Sequence, residues 1–319
     1  MHLTESQYLK GIESKITMHN LKSNIQKISE VIKSVLEKDL DRFDNFEAYK
    51  NKPKATDLEI LAMAIAQEAL GIASENDFYK RLNSEHPEFF KCLPDRSNYN
   101  RRKNRLRFRI DFCSVLIKDE LTKNSDTFII DSMPLPVCRN ARAPRLKIMK
   151  ETTDFRPVRG YMPIDKAYYC GFKLHLLCSK NGVIVDYNIT QANVHDVDLL
   201  KELSCSVPDG KNLLGDKGYV QKDVQLDLFE KRKIAVFTPN RKNSKRPESW
   251  NNKFKKQRKR IETLFSQLCD QMRIKQVYSK SVKGFLTRVI SKIAAVTILQ
   301  FLNKSNDRSL NLLKDALAY

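Results

Sequence analysis

The feature that most constrains this chain is a change of hydrophobic period near residue 124. Before it, apolar residues recur at the three-and-four spacing of helices, and Leu21, Ile25, Ile28, Ile32, Val35 and Leu36 make one such stripe. After it, short β-branched and aromatic runs take over. "TFIID" (127–131) reads as a strand, and "KAYYCGFKLHLLCSK" (166–180) and "GVIVDYNIT" (182–190) as two more, joined at an Asn181-Gly182 hairpin turn. "HDVDLLKELS" (195–204) is a short helix, "KNLLGDKGY" (211–219) a strand, "DVQLDLFEKR" (223–232) a helix and "KIAVFTP" (233–239) a strand; a last helix carries "KKQRKRIETLFSQL" (255–268). Three antiparallel strands followed by α/β alternation describe a mixed sheet with helices on its faces.

The sequence therefore divides into an all-helical domain over 1–124, an α/β domain over 125–305 and a C-terminal tail over 306–319. In the first, Thr56 and Glu59 spell a capping box ahead of an apolar helix that stops at Gly71. Another helix begins at Ser74, and a long one at Ser97. The long one carries Arg101, Arg102, Lys103, Arg105, Arg107 and Arg109 early and is expected to bury Phe108, Phe112, Val115 and Leu116 later. Short helices leading to an arginine-loaded one suggest a helix-turn-helix-like DNA-binding arrangement; a solvated basic face explains the same arginines equally well.

Charge supports the first reading. Fifty-eight Lys and Arg against 38 Asp and Glu leave a net +20, an excess that favours a polyanionic partner such as nucleic acid. Seven scattered cysteines, none in a C-x-x-C pair, argue against a disulfide framework or a zinc knuckle and fit a reducing cytoplasm. "MHLTESQYLKG" lacks the apolar core of a signal peptide, and 285–302, the most apolar stretch, carries Arg288 and Lys292; we read it as a buried helix, not a membrane span.

Three carboxylates occupy telling positions. Asp131 stands at the mouth of a buried strand, where an unpaired carboxylate is costly. Asp216 ends the fourth strand between Gly215 and Gly218, and Glu262 flanks the apolar stripe of the last helix. The element order is that of the ribonuclease H-like fold, in which the first and fourth strands are neighbours and the last helix crosses near their ends. Three acids distant in sequence would then converge. Converged carboxylates repel unless protonated or neutralised, and hard oxygen donors select Mg²⁺ or Mn²⁺; two such ions make a clamp for in-line displacement at phosphorus. Taken singly, an Asp at a strand end is a common turn former, and Glu262 has Arg258 four residues before it as an intrahelical partner.

With these residues in view, the sequence resembles the DDE-type transposases of bacterial insertion sequences, and within them the branch typified by insertion sequence 982. The match rests on "FIIDSMPLPVC" (128–138), "GFKLHLL" (171–177), "NVHDVDLL" (193–200), "LLGDKGYV" (213–220) and "RKRIETLFSQL" (258–268), with "SNYNRRKNRLR" (97–107) resembling the segment before the catalytic domain. The resemblance implies a ribonuclease H-like catalytic domain and an N-terminal domain that recognises terminal inverted repeats. It implies Asp131, Asp216 and Glu262 as catalytic metal ligands for two Mg²⁺ or Mn²⁺ ions, and a homodimer in the synaptic complex, working on double-stranded DNA in the bacterial cytoplasm at the nucleoid. Related enzymes carry a tyrosine three residues before the arginine that precedes the glutamate; here that position is Lys255, with Phe254 beside it.

Two further basic segments are expected to handle DNA. Residues 241–260 carry ten Lys and Arg, among them Lys255, Arg258 and Lys259; residues 139–159 carry seven, among them Arg142 and Arg145. A basic loop that orders only on DNA accounts for the second as well. His175 reads as a packed strand histidine; His195, Asp196 and Asp198 could together suggest a metal site, but Asn193 or His195 reads more simply as the cap of the 195–204 helix; Trp250 could stack on a base or anchor the last helix. The alternatives to a transposase are a non-catalytic DNA-binding regulator derived from one, or another ribonuclease H-like nuclease.

Overall fold

A computed structural model describes residues 20–163, 165–239 and 252–317. The chain forms two compact units, Met1–Ile117 with Leu286–Tyr319, and Lys118–Phe285. These divisions fall at 117/118 and 285/286, where the hydrophobic pattern suggested 124/125 and 305/306.

The first unit is helical. It contains α1 (Leu21–Leu36), α2 (Asp57–Ala69), α3 (Glu75–Glu85), α4 (Pro87–Lys91), α5 (Arg96–Arg105) and most of α6 (Arg107–Thr122). The Thr56–Glu59 capping box forms reciprocally, with Glu59 N–H donating to Thr56 Oγ1 at 3.1 Å and Thr56 N–H to the Glu59 carboxylate at 2.7 Å. The long helix expected from Ser97 is two helices, broken at Leu106. The break changes which residues turn inward. Leu106, Ile110, Cys113, Ile117 and Leu121 are buried, whereas Phe108, Phe112, Val115 and Leu116, expected inside, are exposed. Both stripes have helical spacing, so the sequence alone could not choose between them.

The last described helix, α10 (Val282–Ser305), passes from the second unit into the first. It is long and apolar enough to cross a membrane, and 83% of its most apolar window is buried inside the protein. Its two charges have a local use. Arg288 donates to the buried Glu68 carboxylate at 2.7 and 3.0 Å, and Lys292 donates to the same carboxylate. Burial alone would raise the Glu68 proton affinity, but Lys292 and Arg288 outweigh it and hold the carboxyl below its usual value.

The second unit is built on a six-stranded mixed sheet of β1 (Thr127–Arg139), β2 (Val158–Met162), β3 (Ala167–Ser179), β4 (Ile184–Gln191), β5 (Asn212–Leu214) and β6 (Ala235–Phe237). The order is β2-β3-β1-β5-β6, with β4 also on β3. β1, β3 and β4 are antiparallel, and β5 and β6 join β1 in parallel. The β3–β4 turn places Gly182 at φ +82°, as the Asn-Gly pair required. Helices α7 (Leu200–Ser204), α8 (Lys222–Arg232) and α9 (Asn252–Asp270) complete the unit.

β1 is longer than its apolar run. It continues through Pro134 and Pro136, which lack the N–H a central strand needs. The pairing explains the tolerance. β5 pairs with β1 only at Thr127, Phe128 and Ile129, so among the described residues one edge of β1 has no strand beside it from Ile130 onward. A register shift between Pro136 and Cys138 absorbs the second proline. The segment after β1, expected as a basic loop, makes a 3₁₀ turn at Asn140–Arg145 and then β2.

Side-chain alternation along β1 sets up the site. Phe128 and Ile130 pack into a core with Leu177, Leu199, Leu200, Leu203 and Leu228. Asp131, one residue on, turns to the opposite face, and Ser132 turns back. Asp131 is thus placed in the notch that opens where β5 leaves β1.

Candidate active site

Asp131 is 18% exposed and lies opposite Leu176 of β3. Its Oδ1 accepts the Ser132 N–H at 2.9 Å, and its Oδ2 accepts from Arg258 of α9 at 3.0 Å. Burial pushes its carboxyl up to about 7; the Ser132 bond and Arg258 pull it down, while Asp216 and Asp196 push it further up. Two more carboxylates therefore stand within electrostatic reach.

Asp216 follows β5 by two residues. Its Oδ1 accepts the Gly218 N–H at 2.7 Å, which caps the 3₁₀ turn Lys217–Tyr219. Glu262, on α9, is 52% exposed. It meets Arg258 at 2.9 Å, the intrahelical pair that its spacing suggested. The same guanidinium reaches Asp131, so Arg258 joins two of the three expected acids. Ile261, Leu264 and Leu268 fix the helix beneath it by burying their side chains.

Asp196, whose sequence setting fits either a helix start or a metal-site trio with His195 and Asp198, also lies within electrostatic reach of Asp131. It opens the 3₁₀ turn Asp196–Leu199 that leads into α7. Its Oδ1 accepts from Ser132 Oγ at 2.7 Å and from Lys173 at 3.1 Å. A Cβ built on Gly218 would lie 2.9 Å from Asp216 Oδ1 and 3.4 Å from Asp196 Oδ2, so these two carboxylates border one small space that only glycine leaves open. The signal in the sequence was the run "HDVD" directly after a strand; its ambiguity was that such runs usually cap helices. His195 holds the cap position but makes no side-chain cap bond.

His175 is fully buried, as a packed strand histidine should be. Its Nε2 meets Thr190 Oγ1 at 2.9 Å, and its Nδ1, without a hydrogen-bond partner, lies 3.7 Å from Asp196 Oδ1. Burial pushes its pKa down to about 4, against the pull of Asp196. The Tyr219 hydroxyl is likewise buried without a hydrogen-bond partner, and its proton is held more tightly by burial and by Asp196, Asp131 and Asp216.

The donor chemistry suits a hard divalent cation. Asp131, Asp216 and Asp196 offer only carboxylate oxygens, the donor type such a cation takes, and the Gly218 space lies between Asp216 Oδ1 and Asp196 Oδ2. Among the described residues no three His, Cys, Asp or Glu side chains are gathered closely enough to hold an ion. Arg258 supplies the positive charge between Asp131 and Glu262 instead.

The expected DNA contacts divide. Arg102 donates to Ala55 O and Asp57, both at 2.6 Å, and Lys103 is buried against Glu75, so both are engaged within the first unit. Arg101 is exposed and turned to Asn98, and Arg105 reaches Tyr49. Arg142, Arg145, Lys255 and Lys259 are exposed. Phe254 packs against Phe237 of β6 with ring centroids 4.5 Å apart and planes tilted by 37°, which anchors the start of α9, while Lys255 beside it is exposed. Arg241, Lys242, Lys245, Arg246 and Trp250 lie outside the described residues.

A family model described as a transposase DDE domain matches residues 121–282, just over half of the chain. The chain belongs to that family of DDE-domain transposases. No curated protein and no solved structure matches it.

Proposed function

We propose that the chain is a transposase of the insertion sequence 982-like branch, with a ribonuclease H-like catalytic domain, that binds the terminal inverted repeats of its element and catalyses metal-dependent DNA cleavage and strand transfer. The observation that carries this is Asp131. A mostly buried carboxyl, pushed up to about 7 by burial and further by the charges of Asp216 and Asp196, is arranged for a cation. In this reading Asp131, Asp216 and Glu262 hold two Mg²⁺ or Mn²⁺ ions. When bound, such ions would activate the attacking water or 3′-hydroxyl and stabilise the leaving oxygen.

The chain's own residues do the positioning. Asp131 and Asp216 project from β1 and from the turn after β5, and Glu262 comes from α9. Arg258 leaves the carboxylates for a phosphate when DNA enters, exchanging one anionic partner for another. Arg101, Arg105, Arg142, Arg145, Lys255 and Lys259 contribute exposed charge for the duplex, and a homodimer brings two ends together.

The test is a nicking assay on a labelled duplex carrying the terminal repeat, with Mg²⁺, comparing wild type with Glu262→Gln. Nicking at the repeat boundary by wild type alone is the expected result. Tight binding without cleavage by either protein, in Mg²⁺ and Mn²⁺, would leave a DNA-binding regulator. That second reading has its own support, because Arg258 already neutralises Asp131 and Glu262. Cleavage that ignores the repeat would leave another nuclease of the same fold.

A further inference from the structure

We propose that Asp196 is a positioning residue of the active site, acting on Asp131 through Ser132. The inference rests on the proposed assignment of Asp131 as a metal-holding carboxylate. Ser132 is tied at both ends: its N–H donates to Asp131 Oδ1 at 2.9 Å, and its hydroxyl donates to Asp196 Oδ1 at 2.7 Å. Because alternate residues of a strand face opposite ways, Asp131 and Ser132 project from opposite faces of the sheet. Two hydrogen bonds therefore run through the strand, from the turn that opens α7 to the carboxylate on the far side.

The arrangement needs an anchor, and Asp196 has one. Lys173, on β3 next to β1, donates to Asp196 Oδ1 at 3.1 Å and to Val194 O at 2.7 Å, which fixes the turn against the sheet. One oxygen, Oδ1, takes both donors. The other, Oδ2, faces the space at Gly218 that Asp216 Oδ1 also borders. His175 Nδ1 and the Tyr219 hydroxyl, both buried and without hydrogen-bond partners, complete the polar surroundings. What holds the carboxylates in place is the chain of made bonds, from Lys173 to Asp196, from the Ser132 hydroxyl to Asp196 and from the Ser132 N–H to Asp131. That chain of bonds fixes one carboxylate rotamer on β1 beyond Ile129, where among the described residues no strand lies along its other edge.

Partners that orient a metal ligand typically change metal affinity or activity by about 10–100-fold when removed. The experiment measures Mn²⁺ binding to the full-length protein by calorimetry without DNA, and nicking of the repeat duplex at saturating DNA. It uses wild type, Asp131→Asn, Asp196→Ala, Ser132→Ala and Ser132→Thr, each checked for folding by its thermal melt. Asp196→Ala and Ser132→Ala should each weaken Mn²⁺ binding about 10–100-fold and lower kcat by a similar factor, with KM for DNA unchanged. Ser132→Thr keeps the hydroxyl and should recover most of the loss. Folded Ser132→Ala with wild-type Mn²⁺ affinity and wild-type kcat overturns the proposal. So does equal loss in Ser132→Ala and Ser132→Thr. If wild type binds Mn²⁺ through Asp131 but does not nick, the transposase reading fails and the binding arms still decide on Asp196. If wild type binds no Mn²⁺, both fail.

Discussion

Replacing Asp131 with Asn should stabilise the metal-free protein, and the gain should depend on pH. The carboxyl is raised from an ordinary 3.8 to about 7, first by burial. A proton held more tightly in the folded state costs nothing while both states are protonated, below pH 3.8. Above that, the unfolded chain ionises first, and stability falls by about 1.4 kcal/mol per pH unit until the folded carboxyl also ionises near 7. The cost is about 2 kcal/mol at pH 5.5 and levels off at about 4 kcal/mol by pH 8. Asparagine keeps the shape and removes the charge. In EDTA, Asp131→Asn should therefore melt at nearly the same temperature as wild type near pH 4 and about 8–16 °C higher at pH 8, at about 2–4 °C per kcal/mol for a unit of this size. Differential scanning calorimetry at pH 4, 5.5, 7 and 8 reads the difference directly. Millimolar Mn²⁺ should narrow the gap at pH 8, because a bound cation offsets the ionised wild-type carboxylate. A gap that is the same at pH 4 and pH 8, or wild type the more stable at pH 8 in EDTA, refutes the reasoning.

Three further outcomes are expected. Gly218→Ala should cut nicking at least about tenfold with little change in melting temperature, since its Cβ would lie 2.9 Å from Asp216 Oδ1 and force that carboxylate to turn; wild-type nicking would show that the Gly218 space is unused. Glu68→Gln should destabilise the first unit by about 3–5 kcal/mol, because it leaves Arg288 and Lys292 buried without a full counter-charge, as urea denaturation would report. Replacing Arg142 and Arg145 together by Gln should weaken duplex binding and flatten the log–log salt dependence by about two, one for each lost phosphate contact; an unchanged slope would remove the 3₁₀ turn from the DNA surface.

Much of this structure was legible because the relevant chemistry is local. Thr56 and Glu59 are three residues apart, and Gly182 needs only its own backbone, so both turned out as their sequence required. Asp131 was conspicuous because a carboxylate after Ile129 and Ile130 breaks a buried run. What escaped depends on partners distant in sequence. β1 runs on past Pro134 because its pairing with β5 ends at Ile129, opposite Leu214, which no local pattern states. The inward face of α6 was misjudged because Phe108 and Ile110 lie on rival stripes of equal quality. Asp196 acquires its role only when Ser132, 64 residues earlier, arrives beside it.

The first unit is assembled from both ends of the chain, with the second inserted between them. On the ribosome this imposes an order. Residues 118–285 are complete before Arg288 and Lys292 have been made, and until then Glu68 has neither cation. The second unit can therefore finish folding first, and the helical unit only once Leu286–Tyr319 has been made. A nascent chain stalled at residue 285 would carry Asp131, Asp216 and Glu262 and an unfinished helical unit, so truncated products would lose that unit despite containing all of its first stretch, Met1–Ile117.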